Sequence, residues 1–423
     1  MKKLLLLFLP LLFPCLIFAQ TEPKNYKQAS MRFQKFYNQA NADSLYSCFG
    51  AAVTKSISLD KTAGLITQLQ TAYGKLNMLQ FLKLTSPVAA YKASFEKSVQ
   101  EMSLVLDAEN KISGFFFKPY QENFAYKLSS GLTETPVKVN TADASLSGSL
   151  VVPEKTNGKI PVVLIIAGSG PTDRNGNSSL GITANSYYLL ANDLGKAGIA
   201  SLRYDKRAIG KSTSKKSLTD VRFEDFVADA VALIKQLKTD TRFSKVIVLG
   251  HSEGSLIGML AAEKEKVDAY ISLAGAGDAI NKIFEVQLKN QTPEEYKLSM
   301  NQLDSLKKGL KVKAAENDQL FSPILQPYMI SWMKYNPQTE IKKLNISVLI
   351  LQGTTDIQVS VTDAEKLKKA KPNAKLVLLE GMNHALKQAP QNREQNIATY
   401  SNPALPIDAT LVEAVTQFVN QLK

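Results

Sequence analysis

The sequence predicts an α/β architecture with a helical cap, preceded by a small α+β domain. Three observations carry that reading. From about residue 137 onward, short and wholly apolar runs alternate with helix-like segments; a Gly-x-Ser-x-Gly turn sits between one such run and a helix; and the pattern changes near residue 129. Strands that are apolar throughout are what a parallel sheet covered on both faces requires, whereas a half-exposed strand alternates.

The N-terminus reads as a leader at residues 1–19. Lys2 and Lys3 precede an apolar stretch from Leu4 to Phe18, broken by Pro10 and Pro14 and followed by Ala19, the layout of a cleaved secretory signal. The stretch is too short to span a bilayer, which takes about 20 apolar residues. Leu12, Phe13 and Pro14 before Cys15 make a poor lipid-attachment site, so no lipid anchor and no stable membrane insertion after cleavage are expected. The expected location is secreted or periplasmic. Removal of the leader leaves Cys48 as a single cysteine, which excludes an intramolecular disulfide.

Composition narrows the function classes. The 423 residues hold 44% hydrophobic and 21% charged residues, a globular balance long enough for two or three domains. Two His and two Cys, far apart, cannot supply a zinc or iron–sulfur site, so no metal and no cofactor are expected. The net charge of +13 suggests nucleic acid, but the basic residues are dispersed and their local clusters, such as Lys366, Lys368, Lys369 and Lys371, lack interleaved aromatic residues. They read as a solvated helix face; no nucleic-acid partner is expected.

Residues 20–128 form the first domain. Met31, Phe33, Phe36 and Tyr37 mark an amphipathic helix, and Leu65, Ile66 and Leu69 mark a second. Glu101 to Leu106 alternates in part, and Ile112 to Phe117 is an aromatic strand. The helical Arg32 to Asn41 segment, the Tyr73-Gly74 pair and the final aromatic strand make this domain resemble the cone-shaped domains of the nuclear-transport-factor-like superfamily. No polar constellation marks a site in it, which favours a packing or positioning role.

The polar segment Ser129 to Pro136 reads as a linker into the second domain, residues 129–423. There the order is Val137 to Val152 as strand, Val162 to Ile166 as buried strand, a helix near Ala184 to Ala197, and the strand Ile199 to Tyr204. A helix from Phe223 to Leu237, the strand Val246 to Leu249, a helix after Glu253 and the strand Ala269 to Leu273 follow.

The strand Lys245 to Leu249 runs directly into Gly250-His251-Ser252-Glu253-Gly254 and then a helix. This strand-turn-helix setting is the one a serine nucleophile elbow needs: the sharp turn exposes Ser252, side chains at 250 and 254 would collide with neighbouring elements, and the following helix directs its positive end at Ser252. A serine hydroxyl needs a base, and the base an orienting acid. His251 abuts the nucleophile with its side chain directed elsewhere, which leaves His384, on a loop after the strand Lys375 to Leu379. Asp356 follows the run Val348 to Leu351 and fits the acid; Asp363 is the rival, better placed near a helix N-terminus. The oxyanion calls for two backbone donors: the amide of Glu253, and that of Ser169 in the turn Ala167-Gly168-Ser169-Gly170-Pro171. Asp173, Asn175 and Asn177 are spaced like the start of a calcium loop, but Ser178 and Ala184 stand where Gly and Glu are required.

With Arg203-Tyr204-Asp205-Lys206-Arg207, Gly210 and Ser212, these motifs over Val137 to Lys423 resemble the α/β-hydrolase superfamily, near its secreted bacterial esterases and the acyl-peptidase and dienelactone-hydrolase branches. The family often has His where Ala167 stands, so one loop-bracing hydrogen bond is in question. Asp205 and Arg207 are expected to brace the turn. The resemblance implies an α/β-hydrolase fold and acyl transfer to water through an acyl-enzyme.

An insertion at about 277–345 is expected to form the cap. Thr292-Pro293-Glu294-Glu295 reads as a capping box in preference to an amine-binding site. Phe321 to Tyr335 is its apolar part, and Met329 and Trp332 are the candidate substrate-pocket residues. The expected function is hydrolysis of small-molecule carboxylic esters. The alternatives are a peptidase or aminopeptidase on small peptides, and an envelope-binding module with a vestigial hydrolase domain.

Overall fold

A computed structural model describes residues 21–120, 127–315, 318 and 320–422, so the expected leader lies outside the described residues. Among the described residues no helix is long and apolar enough to cross a membrane. The chain divides into two compact units, Met1–Asn123 and Phe124–Lys423.

The first unit carries α1 (Lys24–Asn38), α2 (Ala42–Tyr46), α3 (Ala51–Thr54), α4 (Leu59–Tyr73) and an antiparallel sheet in the order β1 (Leu76–Thr85), β2 (Val88–Phe95), β3 (Val99–Leu106), β4 (Ile112–Pro119). Tyr26, Phe33 and Tyr37 share one face of α1 at helical spacing and bury against Tyr91, Met102 and Leu104 of the sheet. The sequence shows α1, α4, β3 and β4. It leaves β1 and β2 unresolved because β1 is an edge strand with nine of its ten residues at least partly exposed, so no buried period marks it.

The second unit runs β5 (Leu132–Asn140), β6 (Ala144–Pro153), β7 (Ile160–Ile166), α5 (Ser186–Lys196), β8 (Ala200–Tyr204), β9 (Thr213–Ser214), α6 (Phe223–Thr239), β10 (Phe243–His251), α7 (Glu253–Lys264) and β11 (Ala269–Leu273). Cap helices α8 (Ile280–Gln287), α9 (Pro293–Lys307), α10 (Gln326–Trp332) and α11 (Pro337–Lys343) follow. The chain then returns to the sheet with β12 (Ser347–Gly353), α12 (Val361–Ala370) and β13 (Lys375–Leu379), and ends in α13 (Arg393–Ala398) and α14 (Ala409–Asn420).

The strand order is β13-β12-β11-β10-β7-β8-β6-β5, with β9 beside β6. From β13 to β8 every pairing is parallel, while β6 is antiparallel to β8, β5 and β9. The structure departs from the sequence reading at two places. Val137 to Val152 is a hairpin, not one strand, and the segment expected to be a linker already forms β5 from Leu132. Pro136 and a largely exposed, polar composition disguise it; both are features an edge strand tolerates.

The inner strands separate two hydrophobic cores by residue parity. In β7, Val162, Leu164 and Ile166 join the core containing α6, α7 and α12; Val163 and Ile165, with Ala167 just beyond the strand, join the one containing α5 and α14. Burial on both faces explains the unbroken apolar runs. It also leaves the carboxyl ends of the parallel strands as the place where loops converge, and β10 lies near the middle of that row.

Candidate active site

Ser252 occupies the turn between β10 and α7 at φ 56° and ψ −123°, a conformation that costs a non-glycine residue roughly 1–3 kcal/mol. The surrounding glycines are demanded by contact. A Cβ on Gly250 would stand 2.1 Å from the Gly254 carbonyl oxygen, one on Gly254 2.3 Å from that of Ile166, and one on Gly168 3.0 Å from Ser252 Cβ. The elbow therefore seats the end of β7 directly against the serine.

His384 follows β13 and Asp356 follows β12; their Nδ1 and Oδ2 lie 2.8 Å apart, with both side chains buried. Burial opposes charge on Asp356, but His384 and the amides of Val359 and Gln358 outweigh it and hold the carboxyl below its ordinary range. Gln352, a polar residue buried in an apolar strand, donates to the same Asp356 oxygen at 3.2 Å and to the Val359 carbonyl at 2.8 Å. Asp363 is engaged elsewhere: it accepts from Ser360 in the capping box of α12 and from the Gly277 amide. Ser252, His384 and Ser169 border one cavity of about 240 Å³; Ser252, Ser169 and Glu253 border a second of about 600 Å³, reaching under the cap, where Met329 and Trp332 also lie.

The amides of Ser169 and Glu253 flank the serine, and among the described residues neither donates to a protein acceptor. The Glu253 amide is a first-turn donor with no partner inside its helix. Where the family often has a bracing histidine, this chain has Tyr187, whose hydroxyl accepts from the Gly168 amide at 3.2 Å and shares a hydrogen bond of 2.7 Å with His251 Nδ1. The Tyr187 hydroxyl stays protonated, its pKa raised by burial. Burial, reinforced by His384 at a ring separation of 4.7 Å, pushes the His251 imidazole down to about 3. His251 is thus a neutral brace.

The calcium-like spacing is a turn in which the Asp173 carboxylate accepts from the Asn175 and Asn177 amides at 2.8 and 2.9 Å. Asp205 pairs with Arg174 at 2.6 Å and Arg207 with Asp229 at 2.7 Å, both bracing the turn after β8. Thr292 and Glu295 form the reciprocal bonds of a capping box on the exposed start of α9. Sequence reasoning assigns no individual role to Gln352, Tyr187, Lys206 and Tyr328. A polar residue inside the run Val348 to Gly353 is the signal for Gln352; the others carry none.

Fold and site together define an α/β hydrolase with a serine elbow. The family model described as "Serine aminopeptidase, S33" matches residues 179–391, half of the chain, and the chain belongs to that family. It is similar to Esterase EstD of Thermotoga maritima, with 24% identity over 374 residues covering 85% of this chain and 88% of that protein. Among solved structures it is similar to Est1E from Butyrivibrio proteoclasticus with ferulic acid bound (21% identity, 68% of this chain and 98% of that one, TM-score 0.48). It is also similar to an esterase of Pyrococcus furiosus (16% identity, 69% and 91%, TM-score 0.43).

Because folding holds the His251 pKa below its unfolded value of 6.5, the stability it lends is complete above that value and is lost as pH falls toward 3. From pH 7 to pH 5 this amounts to about 2 kcal/mol. Asp356, also lowered, loses its contribution only at more acid pH. Denaturant melts of His251→Gln should therefore show a flatter stability profile between pH 7 and 5 than the wild type; parallel profiles would contradict the assignment.

Proposed function

We propose that this protein is a serine hydrolase that cleaves carboxylic esters through an acyl-enzyme. The observation that carries the reading is a strained Ser252, flanked by two unengaged amides, in a cavity shared with a histidine whose other nitrogen is held by Asp356. Ser252 Oγ attacks the ester carbonyl carbon and gives its proton to His384 Nε2, while Asp356 holds Nδ1–H and fixes that tautomer. The carbonyl oxygen takes up negative charge between the Ser169 and Glu253 amides. Collapse expels the alcohol with the proton from His384. Water, deprotonated by the same nitrogen, then attacks the acyl carbon and releases the acid and Ser252.

The name of the Thermotoga maritima relative supports ester substrates. The family description raises the peptidase reading, which needs a carboxylate free to hold a substrate amine. Glu295 is committed to its capping box, and Asp278, which does line the larger cavity, is paired with Lys366 at 2.5 Å. Ile280, Ile283, Phe284, Leu325, Met329 and Trp332 give that cavity an apolar wall suited to an uncharged acyl or alcohol group. The presence of every group the chemistry requires counts against a vestigial hydrolase that merely binds envelope material.

For the N-terminal unit we propose a packing role of the nuclear-transport-factor-like kind, and for the protein a secreted or periplasmic location, supported by the charged and then apolar pattern of residues 1–19. Expressed in a bacterial host, the exported protein should begin near Gln20 on N-terminal sequencing; an uncleaved Met1 would refute it.

Ser252→Ala should lower turnover of nitrophenyl esters by at least about three orders of magnitude and abolish fluorophosphonate labelling, with an unchanged melting temperature. Retention of a tenth of the wild-type rate would refute the nucleophile. Glu295→Gln should leave the ratio of ester to aminoacyl-anilide rates unchanged, since Gln also bonds back to the N-cap amide. A drop of about ten- to a hundredfold confined to free-amine substrates, the loss of one charge-assisted bond, would favour the peptidase.

A further inference from the structure

We propose that the buried Lys206 is a positioning residue for the oxyanion hole, orienting both of its backbone donors through one ammonium group. The inference rests on the serine-hydrolase reading above and adds to it the group that aims the donors.

Lys206 lies on the turn after β8, about 5% exposed. Its Nζ donates to the Gly168 carbonyl at 2.9 Å and to Glu253 Oε2 at 3.0 Å, and it sits 4.6 Å from the centre of the Phe226 ring. These partners are specific to the two donors. The Gly168 carbonyl and the Ser169 N–H belong to one trans peptide unit, in which the two bonds point in opposite directions. Drawing the carbonyl toward the buried ammonium therefore turns the Ser169 N–H the other way, and Ser169 borders both cavities together with Ser252. The Gly168 amide is held independently by the Tyr187 hydroxyl, so the peptides on both sides of this residue have fixed orientations. The second donor is the amide of Glu253 itself, and the same ammonium binds the carboxylate of that residue. Tyr328 on cap helix α10 donates to the other carboxylate oxygen, Oε1. A lysine at a strand end ordinarily extends its charge into water; here the ammonium is enclosed by the turn, the carboxylate and a ring face.

A structural ion pair and a positioning group differ in what their removal changes. Deleting an oxyanion donor outright costs about a hundred- to a thousandfold in kcat; freeing one to rotate should cost about ten- to a hundredfold. The test is Lys206→Met with Glu253→Gln, which strands no buried charge. A second variant, Lys206→Met with Glu253→Met and Tyr328→Phe, replaces the whole polar group by apolar residues of similar size, an exchange buried pairs often tolerate. Steady-state kinetics on a nitrophenyl ester, normalised to active sites titrated with fluorophosphonate, should show kcat reduced by about ten- to a hundredfold, with KM within threefold and an unaltered pH profile. Affinity for a phenylboronic acid, whose tetrahedral adduct places an oxyanion in the hole, should weaken by the same factor. A kcat within threefold of wild type in either folded variant overturns the proposal. A proportional rise in KM, or failure of both variants to fold, overturns it too, because the role would then be structural. If Ser252→Ala remains active, the serine-hydrolase reading fails instead, and the two failures are distinct.

Discussion

The tightest constraint in this molecule is the approach of β7, β10 and α7 at the elbow, where backbone meets backbone with no room for a side chain at positions 250 or 254. That contact forces Ser252 into a conformation its side chain disfavours, and the two hydrophobic cores supply the burial that maintains it. Because the end of β7 is pressed against the serine, the turn that follows β7 has no choice but to pass the nucleophile. Proximity of the Gly168–Ser169 turn to Ser252 is thus a result of packing.

Around that contact the loops are held by hydrogen bonds among buried polar groups. Gln352 ties Asp356 to the Val359 carbonyl, Asn383 and Asn396 join the loop before His384 to α13, and Arg174 and Asp205 join the turns after β7 and β8. In a low-dielectric setting such bonds are costly to leave unmade, which favours the loop arrangement that closes them.

What can be read in the amino-acid order follows from this division. The inner strands are legible because burial on two faces leaves only apolar residues, and the elbow is legible because its glycines are sterically obligatory. His384 stands out because the chain has two histidines and one is adjacent to the serine, and the structure sets it 2.8 Å from Asp356. The edge strands β1 and β5 are not legible, since exposure removes the hydrophobic period and Pro136 mimics a turn. Lys206 is equally hidden. Its local sequence is that of a charged turn, and its burial depends on Phe226, Glu253 and Gly168, which become neighbours only in the folded sheet.

The order of strands also governs when this centre comes into being during folding. The proposed nucleophile, acid and base follow β10, β12 and β13, and the proposed oxyanion turn follows β7, so each segment is far in sequence from most of the others. Parallel strands close long loops before their contacts repay the lost entropy, which makes such sheets slow to assemble. Between β11 and β12 the chain must also lay down the whole cap. A half-assembled chain therefore carries the serine without the distant segments that surround it in the folded sheet.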